Sequence, residues 1–507
     1  MADLVVSKSN KLGAKVWLSI VIFGLMGQIA WMVENMYFST YIQKQITTNS
    51  WATSATVAAS AVVAALVTIF GGVLSDRLGK RKVFISWGYI VWGLVTASFA
   101  FFGNKHFEEK DVVMMVTIFV IMDCVMTVFG SLSNDAAFSS WVTDVTDITN
   151  RGFVDVILSI MPVAALMIIF VGFNNLTVVQ EGEETAHWTL FFIILGGMTA
   201  LAGVLGLFLL KDSPKLKPDR SGKYMQEVVY GFTPKNIKKH KMIYVCLIGM
   251  MLSGLAMQLW QPYMIMILQY TLGFDVAGGG FVVPLAAVIL LSAAMAVVGG
   301  KLMDKFGKDK FFYPVAAAGV VGGILVYLIK FVNNNMVWVY ILFILGGTLV
   351  ESASLLAAGL FNATARDYTP AEKAGCFQGV RIIIFVTLPM IIASIVCPFI
   401  IKGFGPVLNQ FGVAPANGYF AIPQVPDGYE IGDNVYPFEL FLFAAIVAAL
   451  MFIPTYFVQR ENNKLRREKL AEIAADVEVA STANDVGDNV VTDEENDNAA
   501  DSPSVAD

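Results

Sequence analysis

The sequence predicts an all-α polytopic membrane protein whose twelve transmembrane helices form two pseudo-symmetric six-helix halves. Three observations predict it. Of 507 residues, 56% are hydrophobic and only 15% are charged, against about 25% charged in soluble domains, and mean hydropathy is +0.66. Twelve stretches reach the roughly 20 apolar residues that a helix needs to cross the hydrocarbon core. A twelve-residue segment also recurs at an offset of 228 residues. So little charge cannot cover a chain of this size in water, so most of it must face a lipid bilayer.

In chain order the spans fall at approximately 16–40, 52–75, 83–103, 112–138, 153–173, 188–210, 242–269, 279–303, 312–332, 337–361, 377–401 and 438–458. The first is too long for a cleaved signal peptide and lacks a small-residue cleavage site, so it is expected to be retained. An even number of spans places both termini on one side. That side takes 29 Lys and Arg, and the other holds only Lys44, Lys105, Lys110, Lys330 and Lys402. The positive-inside rule then predicts a multi-pass protein of the cell membrane with both termini cytoplasmic.

The connections set the domain plan. Residues 1–15 form a cytoplasmic N-terminus, 16–210 the first six-helix half, and 211–241 a cytoplasmic linker with nine Lys and Arg. Residues 242–458 form the second half. Its extracellular loop 402–437 carries Pro406, Pro415, Pro423, Pro426 and Pro437 and is expected to be a folded flap. Residues 459–507 form a cytoplasmic tail that from 470 onward has eleven acidic residues and no basic one; such a composition is expected to be disordered.

Composition also excludes function classes. No basic stripe or aromatic-basic module suggests nucleic acid as a partner. The four cysteines stand alone in apolar stretches, and His106, His187 and His240 lie between spans, so no metal centre or cofactor is expected. Nucleotide, HExxH and GxSxG motifs are missing, which argues against ATP drive and against an enzyme.

The repeated segment is Gly71-Gly72-Val73-Leu74-Ser75-Asp76-Arg77-Leu78-Gly79-Lys80-Arg81-Lys82, echoed by Gly299-Gly300-Lys301-Leu302-Met303-Asp304-Lys305-Phe306-Gly307-Lys308-Asp309-Lys310. A second echo pairs Asp144…Gly152 with Asp367…Gly375. Parallel six-helix repeats are a transporter architecture in which substrate is held between the halves near the midplane. The first copy, GGVLSDRLGKRK, resembles the loop 2–3 signature of the major facilitator superfamily, and the resemblance covers residues 12–460. Within it the chain is similar to the glycoside–pentoside–hexuronide:cation symporters, the melibiose-permease-like family. Ile121-Met122-Asp123 matches a stretch whose Asp binds sugar there.

That resemblance implies a monomeric secondary transporter that imports a glycoside or oligosaccharide with a cation by rocking of two halves. It also implies that charges at helix ends latch the inner gate when the outside is open. These are Asp76, Arg77, Arg81, Asp144 and Arg151 in one half and Asp304, Lys305, Arg366 and Asp367 in the other. The chain departs from the family at two places. Ile29 stands where a sugar-binding Asp is expected, with Glu34 five residues later, and the second span has no acid between Trp51 and Ser75. The second departure argues against a sodium site of the melibiose type and for a proton. An exporter or drug antiporter of the same superfamily is the other transport reading, and a membrane enzyme or sensor on this fold is a third.

An ionised side chain at the bilayer centre costs about 2.5–3.5 kcal/mol on insertion scales, so it normally faces a cavity or a partner. Glu34, Asp123 and Glu351 lie far from any predicted span end and are the candidates for carrying the coupling cation. Asp123, Thr127, Ser131 and Asn134 follow helical spacing and are expected to form a polar cavity wall; the alternative is hydrogen bonding between helices. Trp31, Glu34, Asn35 and Phe38 share a face of the first span, and Gln258, Trp260, Gln261 and Tyr263 cluster on the seventh. Aromatic rings beside carboxylate and amide acceptors suit the C–H faces and hydroxyl edges of a sugar. Trp17, Trp51, Trp188 and Trp338 sit at span edges, as interfacial belts do. Glu351, flanked by Thr348 and Ser354, is expected either to complete the cavity, to carry the proton, or to pair with Arg381.

Overall fold

The computed structural model describes residues 12–103, 111–146, 151–179, 186–212, 231–274, 280–332, 335–369, 377, 380–407, 434–468 and 471, without the side chains at 72–73, 76, 151–153, 155–156, 159, 174 and 304. The N-terminal residues 1–11, the linker from 213 to 230, loop residues 408–433 and the acidic tail from 472 lie outside the described residues, as do the side chains of Asp76, Arg151 and Asp304.

The architecture is all-helical. The spans are α1 (Ala14–Ile46), α2 (Ser50–Leu78), α3 (Arg81–Phe101), α4 (Val112–Val145), α5 (Arg151–Gly172), α6 (Trp188–Leu209), α7 (Lys241–Thr271), α8 (Val282–Phe306), α9 (Lys308–Phe331), α10 (Met336–Tyr368), α11 (Val380–Phe404) and α12 (Glu439–Leu450). Among the described residues, eleven helices are long and apolar enough to cross a membrane, and α5 adds a shorter apolar run at Ile160–Gly172. Several helices outlast their hydropathy. Apolar character ends near residue 138 in α4, but the helix continues to Val145 because its polar end finds partners. Trp141 Nε1 donates to the Lys211 carbonyl at 2.9 Å, and Asp144 accepts from Arg81 Nε at 3.2 Å.

Four spans contain π-helical turns: α1 at Val33–Tyr37 and Ile42–Ile46, α4 at Ser131–Phe138, α7 at Ile267–Thr271 and α11 at Ile383–Thr387. Such a turn holds an extra residue and rotates everything beyond it relative to an α-helical register. α7 is also broken at Gln261–Tyr263, where Pro262 lacks an N–H to continue the ladder.

Lipid tails are as apolar as leucine, so helices in a membrane associate through close packing. α3 and α6 do so backbone to backbone. A Cβ on Gly93 would lie 2.4 Å from the Gly196 carbonyl, and one on Gly196 would lie 2.4 Å from the Ala97 nitrogen. Beside this contact the first half has an aromatic core. Phe38 meets Phe99 and Phe119, and Tyr41 meets Trp188 and Phe192. Trp188 is fully buried there, so it does not belong to an interfacial belt.

The two signature segments make matching turns. Gly79 (φ 60°) ends α2, and Gly307 (φ 85°) ends α8, a backbone region that glycine enters without a Cβ penalty. Each turn is tied to a long helix of its own half: Arg81 pairs with Asp144 on α4, and Lys308 pairs with Asp367 on α10. Residues Ile453–Asp507 form a separate compact unit. Its described part is helical, with Lys464 Nζ 3.8 Å from Glu468 Oε1.

Candidate functional site

A cavity of about 470 Å³ lies between the halves. Met32 and Met36 of α1 and Ile160, Val163 and Leu166 of α5 form one wall. α7, α8 and α10 supply most of the other, with Phe441 of α12 at one end. The break at Pro262 places Trp260 and Gln261 on the cavity, and α10 adds Glu351. Trp260 packs on Phe441 with ring centroids 5.7 Å apart, and its buried indole N–H has no partner among the described residues. With Ser292 these are the polar side chains that the described residues bring to the lining; the rest is Met, Ile, Leu, Val, Ala, Pro, Phe and Gly. The cavity therefore offers a few polar side chains and an aromatic residue set in an apolar wall.

A second polar constellation lies inside the first half, away from the cavity. α1 and α4 run antiparallel, so Glu34 meets Thr127, whose hydroxyl donates to Glu34 Oε1 at 3.1 Å. Asp123 is 0% exposed and Glu34 8% exposed. The two acids are electrostatic neighbours, and Ser60 of α2 stands beside both. Neither Asp123 oxygen nor Glu34 Oε2 has a hydrogen-bond partner among the described residues. Two turns further along α4, Tyr89 donates to Asn134 Oδ1 at 2.8 Å, and Asn134 Nδ2 donates to Asp135 Oδ1 at 3.1 Å.

These positions revise several expectations. The Asp123–Thr127–Ser131–Asn134 stripe is buried between helices and does not line the cavity. Trp31 packs on Trp92 at 5.2 Å, and neither it nor Asn35 is in the cavity lining. Phe38 belongs to the aromatic core. Tyr263 is buried in a contact between the halves. Glu351 is not paired with Arg381, whose Nη1 donates to Asn362 Oδ1 at 2.8 Å. The common cause is that helical spacing shows which residues share a face, whereas the neighbouring helix decides what the face meets. Sequence reasoning missed Asp135, Ser60 and Ser292. Asp135 had a signal, an acid twelve residues after Asp123, but the apolar run ends so close to it that it reads as interfacial.

Among the described residues, the polar and aromatic contacts between the halves lie on the side opposite the signature turns. Tyr436 donates from its hydroxyl to Gln43, Ser54 and Tyr263 approach to 3.3 Å between hydroxyl oxygens, and Tyr263 stacks on Tyr436 at 4.9 Å. Phe170 meets Phe281, and Trp51 meets Phe399. On the signature side, Arg81–Asp144 and Lys308–Asp367 each lie within one half, and Arg77, Lys305 and Arg366 are exposed.

The model of one protein family, the Major Facilitator Superfamily, matches residues 16–394. The chain belongs to this superfamily. It is therefore a transporter rather than an enzyme. A sequence search of curated proteins finds no match. Among solved structures, a bacterial homologue of the human lysosomal transporter Spinster, inward-facing, aligns with TM-score 0.64 at 12% identity, covering 89% of this chain and 98% of that one. The D-xylose-proton symporter aligns with TM-score 0.62 at 12% identity, covering 88% and 96%. The nucleoside transporter NupG gives 0.59 at 11%, covering 89% and 99%. At these identities the likeness concerns the major facilitator fold itself.

Proposed function

We propose that this major facilitator imports a small glycoside bearing an apolar aglycone across the plasma membrane, together with a proton, by alternating access. The observation that carries this reading is that Trp260, Gln261 and Glu351 all line an otherwise apolar cavity. A sugar ring stacked against Trp260 would offer its hydroxyls to Gln261 and Glu351, and the aglycone would lie along the Met, Ile and Leu wall. A fully hydroxylated oligosaccharide fits less well, because each hydroxyl left against that wall would cost about 1–3 kcal/mol. The relatives agree in kind: one similar structure is a D-xylose-proton symporter.

The Glu34–Asp123 pair serves as the proton carrier in this reading. It is buried beside α2, which has no acid within the membrane to build a second carboxylate shell for sodium. Glu351 serves the substrate. The positive-inside count orients the signature turns and both termini to the cytoplasm, so the contacts around Tyr436 close the extracellular side. The helix-end charges would latch the inner side in the opposite state, as a monomer needs no partner to do.

The test is uptake by proteoliposomes of three radiolabelled probes: para-nitrophenyl glucoside, a free disaccharide and para-nitrophenol. An inward proton gradient should drive accumulation of the aryl glucoside alone, and a sodium gradient should not. Equal uptake of para-nitrophenol would overturn the sugar assignment, and sodium-driven uptake would overturn the ion.

A further inference from the structure

We infer that Asp135 is the station through which protons pass between the Glu34–Asp123 pair and the side of the bundle that carries the signature turns. The inference rests on the proton-coupled reading above. Three geometric observations carry it. The first is depth: α4 continues to Val145, so Asp135 lies ten residues, about 15 Å of helix, inside its end. The second is register. The π-helical segment Ser131–Phe138 includes Asp135 and departs from α-helical register, and Asp135, beside Ser131 and Trp31, shares the seam with Asn134. The third is the antiparallel seam with α1. Thr127 meets Glu34, the Trp31 indole approaches Gly130, and Gly27 faces Asn134. Along that seam the acids follow one another in the order Asp123, Glu34, Asp135.

Exposure follows the same order. Asp123 and Glu34 are buried, and Asp135 is partly exposed. Asp135 lies within electrostatic reach of Glu34, and Ser131 and Trp31 stand beside it. The Ser131 hydroxyl is itself buried without a partner among the described residues, one turn from Thr127 and from Asp135. Among the described residues, the other titratable groups facing the seam are Tyr89 from α3 and Cys124 beside the pair, and α2 brings the neutral Ser60. Two buried carboxyls within electrostatic reach of each other, with no basic side chain among their neighbours in the described residues, exchange charge by taking up or releasing a cation.

Hydroxyls between acids provide the route. A proton on Asp135 passes to Ser131 Oγ, whose own hydrogen moves on toward Glu34 through Thr127 or a water. Each hop breaks one O–H bond and forms another, leaving Asp135 ionised and Glu34 protonated. The reverse sequence returns the proton to Asp135.

The test needs no substrate. Full-length protein in proteoliposomes is given a pH jump, and carboxyl C=O stretching is followed by time-resolved infrared spectroscopy. Glu34→Gln and Asp123→Asn should each remove a titrating band, which identifies the pair. If neither does, the coupling reading fails and the relay with it. Asp135→Asn should keep the amplitude of that band but slow its rise by roughly ten-fold or more, toward the low end of what a positioned proton donor contributes. Asp135→Glu should restore the rate. An unchanged rate in Asp135→Asn, with the pair's band intact, overturns the relay alone. If Asp135→Asn does not fold, Ser131→Ala reads the same band; it should slow the rise, and an unchanged rate again overturns the proposal.

Discussion

Glu351 and Asp123 are both lone carboxyls in apolar helices, and the fold gives them different neighbours. Glu351 lines an apolar cavity that also holds Gln261 and Trp260, so its oxygens are available to a ligand there. Glu351→Gln should weaken binding of para-nitrophenyl glucoside by about 1.5–3 kcal/mol, the range for a hydrogen bond to a charged group. Quenching titrations of the purified protein would measure it. Asp123 is fully buried within electrostatic reach of Glu34 and does not line the cavity. Asp123→Asn should therefore leave glucoside affinity within about two-fold, since no contact worth roughly 1 kcal/mol or more is lost. It should also abolish accumulation against a gradient while sparing exchange of labelled glucoside; a large loss of affinity would return Asp123 to the substrate. All three acids deep in the apolar runs were legible in the sequence. What separates their roles, the register between α1 and α4 and the π-helical segment that includes Asp135, lies in how two helices meet.

At the scale of elements, the closed side of the transporter rests on a few polar contacts among aromatics. Tyr436 to Gln43 and Tyr263 to Ser54 are made between the halves and are lost when they part on that side. A neutral hydrogen bond contributes about 0.5–1.5 kcal/mol, so Tyr436→Phe should shift the two-state equilibrium several-fold toward opening there. Distances between spin labels on the extracellular ends of α1 and α7 should lengthen in a matching fraction of molecules. The α3–α6 contact makes a separate prediction. Gly93→Ala pushes a methyl group into the Gly196 carbonyl and the Ala200 backbone. Overpacking of this kind costs about 1–3 kcal/mol, and here neither neighbour can rotate away. The variant should unfold at a clearly lower temperature, whereas Gly197→Ala, with open space at its Cβ, should not. Element number and order were readable from hydropathy, because twenty-residue apolar runs have few alternatives. Helix ends were not, because α4 and α10 continue as helix into polar sequence where lipid no longer selects the residues.

For the whole molecule, the duplicated signature makes the two-half plan legible in the chain itself. It survives as matching glycine turns and matching ion pairs, Arg81–Asp144 and Lys308–Asp367, that brace each half as a body. Bodies braced in this way can rock as units, with a cavity between them and separate closures on the two sides. The chemical character of the cavity was the least legible feature. It is assembled from α1, α5, α7, α8, α9, α10 and α12, and its apolar wall corrects the polar one expected from Asp123, Glu34 and Asn35. In the proposed function a buried acid pair in one half is linked to a substrate held in that cavity, and that link is the central claim. The most direct test is proton movement driven by substrate alone. Proteoliposomes containing a trapped pH dye, with no imposed gradient, would receive para-nitrophenyl glucoside from outside. The expected result is internal acidification in fixed ratio to glucoside entry, abolished in Glu34→Gln and preserved at higher substrate concentration in Glu351→Gln. Glucoside entry with no change of internal pH would contradict it.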